Sequence, residues 1–72
     1  MNIQPGDLYA KNNYDFRVHE LREGQVYGVL YESKDRGNLD PEKCFFNLMR
    51  HDIDKFEAEA PELIERKNGV GK

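Results

Sequence analysis

The chain has 72 residues, 11 of them basic and 14 acidic, with a formal charge of −3, one cysteine and no tryptophan. A chain of this length forms one domain and buries only about 60 to 65% of the surface that it exposes when unfolded, which leaves no room for a deep substrate cavity. One cysteine excludes an internal disulfide, no stretch approaches the roughly 18 apolar residues of a membrane span, and the first six residues lack a basic region followed by an apolar run. The expectation is a single domain over 1–67 in a reducing cytoplasm, with no membrane partner and a disordered tail at 68–72.

Charge is uneven. Residues 1–48 carry six basic side chains against eight carboxylates, whereas 49–65 carry Arg50 and Lys55 against six carboxylates. A protein that neutralises many phosphates needs a basic stripe, and this distribution lacks one.

In chain order, Pro5-Gly6-Asp7 reads as a turn, because proline presets φ at one corner and glycine accepts a positive φ at the next. Leu8-Tyr9-Ala10-Lys11 reads as a short strand, and Asn12-Asn13 as a second turn. From Phe16 to Leu21, Phe16 and Val18 alternate with Arg17 and His19, the pattern of a half-buried strand. Leu21-Arg22-Glu23-Gly24-Gln25-Val26 has the form of a hairpin whose type I turn ends on a left-handed glycine. Gln25 to Glu32 is the most apolar strand, with Val26, Gly28 and Leu30 on one face and Tyr27, Val29 and Tyr31 on the other. Gly28 there marks a bend or a close backbone approach.

Ser33 to Pro41 reads as a mobile loop. A further strand is expected from Glu42 to Leu48. Arg50 to Ala60 is helix-tolerant, with Ile53, Phe56 and Ala60 on one stripe. Pro61 breaks that helix, and Glu62 to Arg66 fits either a closing strand or a second helical turn.

These elements predict a mainly β (α+β) fold: a small, strongly bent antiparallel sheet of the SH3-like roll or barrel kind, with one short helix after the fourth strand. A three- or four-stranded sheet with the helix on one face is the alternative. Either needs a core of Phe16, Val18, Val26, Leu30, Phe46, Leu48, Ile53 and Phe56.

The order Gly6-Asp7-Leu8-Tyr9, then Val18, Gly24-Gln25-Val26-Tyr27, Leu30-Tyr31, Cys44 and Phe56 resembles small proteins of bacteriophage and prophage origin, over about residues 3–56. The resemblance implies a cytoplasmic accessory protein of an infected or lysogenic bacterium, without catalytic residues to carry over. It also implies structural positions for Asp7, on backbone amides at the turn, and for Tyr9, packed on the sheet.

Candidate chemistry is sparse. Cys44 with His19 or His51 contains the residue types of a thiol nucleophile and its base, but a cysteine inside an apolar strand pattern is usually a small buried hydrophobe. His51, Asp52 and Asp54 with Cys44 or His19 lack the paired spacings of a zinc site, and Asp35 to Asp40 lacks the alternate-residue ligand spacing of a calcium loop. No catalytic residue, metal or cofactor is expected.

Tyr9, Tyr14, Tyr27 and Tyr31 carry the one recognition signal. If Val26 and Leu30 point inward, Tyr27, Val29 and Tyr31 form an exposed stripe, flanked by Arg17, His19 and Arg36. These five polar and aromatic residues, Tyr27, Tyr31, Arg17, His19 and Arg36, are the expected partner-binding set. The expected function is non-enzymatic: binding and modulating a host or phage macromolecule through protein contacts of the sheet face or the acidic tail, with inhibition of a host protein as the natural mode. A roll buried on both faces, or a homodimer seam, is the competing reading of the stripe. The second functional class is a nucleic-acid-binding module, with Tyr27 and Tyr31 stacking on bases and Arg17, Arg22 and Lys43 on phosphates, and the third is a cysteine- or metal-dependent enzyme.

Overall fold

A computed structural model describes residues 2–38 and 48–66. The strands are β1 (Leu8–Lys11), β2 (Tyr14–Arg22), β3 (Gln25–Glu32), β4 (Leu48–Asp52) and β5 (Glu62–Glu65), with the helix α1 (Ile53–Ala58) between the last two. They form one antiparallel sheet in the order β4-β3-β2-β1-β5, so the first four strands follow as neighbours and β5 returns to the far side of β1. This is the predicted fold class: five strands, and one short helix after the fourth. Residues 62–65 settle as the closing strand.

Three tight turns set the register. Asp7 N–H reaches Gln4 C=O at 3.1 Å across Pro5-Gly6, and Gly6 takes φ +91°. Both two-residue hairpins have two positive-φ corners, Asn12 (52°) and Asn13 (71°) in the first, Glu23 (53°) and Gly24 (77°) in the second. That is the type I′ geometry, whose twist matches the flanking strands. The type I turn expected at Leu21 to Val26 is therefore corrected: Arg22 pairs directly with Gln25, leaving only Glu23 and Gly24 as corners.

β2 departs from simple alternation. Val18 faces Gly28 and Glu20 faces Tyr27, so His19 is an extra, exposed residue of a β-bulge. The bulge returns Leu21 to the face of Phe16 and Val18, where it packs on the same cluster.

Both faces of the sheet bury apolar groups. The inner face holds Tyr9, Phe16, Val18 and Val26, with Ile3 from the N-terminal segment and Phe56 from α1, and Leu21, Leu30 and Ile53 pack against them. The outer face holds Leu8, Val29 and Tyr31. Phe16, Val18, Val26 and Phe56 are thus the expected core residues, and Leu30 and Ile53 are partly buried. Leu48 is not core: it is 53% exposed on the edge strand β4. Phe46, and with it the strand proposed from Glu42 up to residue 47, lies outside the described residues, as does the tail at 68–72.

The helix is shorter than its sequence pattern. Arg50, His51 and Asp52 belong to β4, where they pair with Tyr27, Val26 and Gln25, because ladder hydrogen bonds to β3 outweigh their helix tolerance. The Ile53 N–H then bonds the Gly24 carbonyl at 3.0 Å, which ties the helix start to the β2–β3 turn. At the other end Ala60 takes φ +51° ahead of Pro61 and stops the helix, so Ala60 is exposed and not part of an apolar stripe.

Candidate interaction surface and the paired aspartates

Two carboxylates organise the polar interior. Asp7 and Asp15 are both fully buried. Burial pushes the Asp7 carboxyl up, but the Arg66 guanidinium, the Gln4 N–H and the Tyr9 hydroxyl together hold it below the usual range. Arg66 binds it with two donors, Nε to Oδ1 and Nη2 to Oδ2, each at 2.9 Å, and the same Nη2 reaches the Asn2 carbonyl at 2.6 Å. Gln4 N–H and Tyr9 Oη donate to Oδ2, each at 2.9 Å. Asp7 does bond a backbone amide at the turn and Tyr9 is buried on the sheet, but the carboxylate also clasps the end of β5 to the start of the chain.

Asp15 repeats the device across the molecule. Arg36 donates from Nε to Oδ2 at 2.6 Å and from Nη2 to Oδ1 at 2.7 Å, and Ser33 Oγ donates to Oδ1 at 2.6 Å. The Arg36 hydrogen bonds hold the Asp15 carboxyl below its ordinary value against the opposing effect of burial. The start of the expected mobile loop is consequently pinned: Ser33–Asp35 is a 3-10 turn, and Ser33 N–H bonds the Asn13 carbonyl at 2.8 Å. Residues 39–41 of that loop lie outside the described residues.

The five expected binding residues fare differently. Tyr31 is only 6% exposed and belongs to the outer-face cluster, so the exposed stripe is corrected. Both faces of β3 are covered, and burial lifts the Tyr31 phenol, with the Asp15 charge adding to it. Arg17 and Arg36 do meet Tyr31, around a concavity of about 310 Å³ that Leu8, Ile64 and Glu65 help to line. Their cations are engaged: Arg17 donates to Glu65 Oε1 at 2.9 Å and to the Gly6 carbonyl at 2.7 Å, while Arg36 holds Asp15. His19 sits apart on the bulge. Tyr27 is half-buried, with the Arg22 guanidinium 4.9 Å above its ring.

Register places other side chains beside Tyr27. Residues directly opposite in an antiparallel pair share a face. Arg50 is opposite Tyr27 and Leu48 is opposite Val29, so Leu48, Arg50 and Tyr27 share the outer face, with Glu20 opposite Tyr27 on its other side. An exposed leucine therefore stands next to a half-buried tyrosine inside a charged rim. Sequence reading missed it because Leu48 completes an apolar alternation that resembles core; an edge position is visible only once strand order is known.

The inner face carries a second concavity, of about 220 Å³, between the sheet and α1. Its wall is aromatic: Tyr9 and Phe56 meet edge to face at 5.3 Å, as do Phe16 and His51 at 5.3 Å, and Phe16 and Phe56 rings lie 5.4 Å apart.

Among the described residues no three His, Cys, Asp or Glu side chains form a metal-binding group, and no helix is long and apolar enough to cross a membrane. Cys44 and Lys43 lie outside the described residues. Compared with models of protein families, with curated proteins and with solved structures, the chain matches none.

Proposed function

We propose that this protein is a non-enzymatic binding module that occludes a surface of another protein, in keeping with the small phage-type accessory proteins that its residue order resembles. The observation that carries the reading is the outer-face patch of Leu48, Tyr27 and Arg50, where an apolar side chain stands exposed on an edge strand within a polar rim. Such a centre-and-rim composition suits a protein interface, in which one or two desolvated aromatic or aliphatic anchors supply most of the affinity. The buried aspartates do not compete for this role, since each is consumed by an arginine that holds the fold together. Arg17, offered to phosphates under the nucleic-acid reading, is engaged by Glu65, which weakens that alternative.

Affinity capture from bacterial lysate, with and without nuclease, tests the proposal. A protein retained after nuclease and lost from Leu48→Asp and Tyr27→Ser supports it, provided both variants melt like the parent. Capture that disappears with nuclease and falls steeply with salt overturns it in favour of nucleic-acid binding.

A further inference from the structure

Among the described residues, the inner-face concavity lies where the short helix stops and the sheet continues. α1 has six residues, about 9 Å of helix, and it covers the Phe16 and Val26 end of the inner face through Phe56. Beyond it the sheet continues along the same face through Leu30, Lys11 and Tyr14. The space left over, about 220 Å³, is lined by Tyr9, Phe16, Leu30, His51 and Phe56, with Pro61 behind them. Apolar cavities of roughly 150 Å³ take up benzene, so this one has room for a ring and a substituent.

The wall chemistry narrows the class of occupant. Tyr9, Phe16, His51 and Phe56 already stand in tilted and edge-to-face pairs at 5.3 to 6.1 Å. Rings of opposite edge and face polarity favour that arrangement, and one more flat ring continues it where an aliphatic ring does not. At the rim Lys11 Nζ is held by the Glu59 carbonyl at 2.6 Å, and Glu59 itself lines the space. Lys11 and Glu59 thus put side chains of both signs in the lining, which singles out neither an anion nor a cation, while Lys11, Asn12 and Tyr14 offer hydrogen-bonding groups to a polar substituent.

We propose that the inner-face cavity is a binding site for a small, uncharged aromatic molecule of one or two rings that carries a hydroxyl or an N–H. The site is separate from the Leu48, Tyr27 and Arg50 patch, which lies on the opposite face of the sheet, so the two readings stand or fall independently.

Phenol, indole, cyclohexanol and benzoate, titrated into isotope-labelled protein and followed by NMR, distinguish the outcomes. The expected result is saturable shifts at Tyr9, Phe16, His51 and Phe56, without comparable shifts at Arg17 and Tyr31. Phenol should bind at least fivefold more tightly than cyclohexanol, which matches its size and hydroxyl, and more tightly than benzoate. Leu30→Trp, which fills the space from β3, should weaken indole at least tenfold while the protein still melts cooperatively. Shifts that never saturate, a cyclohexanol affinity equal to that of phenol, or undiminished indole binding by a folded Leu30→Trp would each overturn the site. Should Leu30→Trp fail to fold, the phenol-to-cyclohexanol ratio in the parent decides.

Discussion

Asp7 and Asp15 are each saturated by donors, and the partners differ in what they can do when one is lost. Arg66 and Arg36 keep part of their side chains in water, whereas neither carboxylate has any exposure. Removing the arginine strands a buried charge; removing the carboxylate releases a cation that can turn to solvent. Asp7→Asn should accordingly cost about 1.5 to 3 kcal/mol, the loss of charge-assisted hydrogen bonds, and Arg66→Met should cost more. Urea denaturation of both variants checks the order, and a milder effect for Arg66→Met would show that Gln4 and Tyr9 suffice to hold the carboxylate. The same reasoning applies to Arg36→Met against Asp15→Asn.

At the scale of the elements, two residues of the central hairpin answer differently to substitution. Glu23 occupies a left-handed corner at φ 53°, which costs an ordinary residue about 1 kcal/mol and asparagine little. Glu23→Asn would create the Asn-Gly pair that type I′ hairpins prefer, and it should raise the melting temperature by a few degrees. Gly28 is held by space, not by φ. A Cβ there would lie 2.2 Å from the Arg17 carbonyl oxygen and 2.8 Å from the Phe16 ring, which lies over the glycine. Gly28→Ala should therefore cost about 3 kcal/mol or more, beyond ordinary overpacking, because backbone on the neighbouring strand cannot move aside without losing pairing. A variant that melts near the parent temperature would mean that β2 and β3 separate more easily than their eight paired positions suggest.

For the whole molecule, the buried acids and phenols define the pH range of stability. Asp7 and Asp15 titrate below the ordinary value of about 3.9, so their contribution is complete above that pH and is lost as pH falls through the lower folded values. Tyr9 and Tyr31 are shifted upward, Tyr9 by burial and its hydrogen bond to Asp7, Tyr31 by burial and the charge of Asp15. Their contribution is complete below the ordinary phenol value of about 10 and is lost as pH rises through the higher folded values. Thermal melts across pH should show a plateau between about 5 and 9, an acid limb that Asp15→Asn flattens and an alkaline limb that Tyr31→Phe flattens. An acid limb unchanged in Asp15→Asn would remove that residue from the account.

Local chemistry determined much of this protein from the sequence alone. Pro5-Gly6, Asn12-Asn13 and Gly24 mark the turns, because positive φ is costly for most residues, and between them the alternation of Phe16, Val18, Val26 and Leu30 marks the inner face. The helix around Phe56 follows from the same kind of pattern, whereas the closing strand at Glu62–Glu65 and the strand at Leu48–Asp52 do not. Only the tertiary structure decided which apolar residues are covered. Tyr31 reads as exposed on a one-sided sheet and is buried on a two-sided one, while Leu48 reads as core and stands on an edge. The aspartate clasps were equally hidden, since Asp7 and Arg66 are 59 residues apart and an acid after a glycine looks like any turn residue. Alternation and turn preference act over two to four residues, whereas burial depends on strand order and sheet curvature, to which the whole chain contributes.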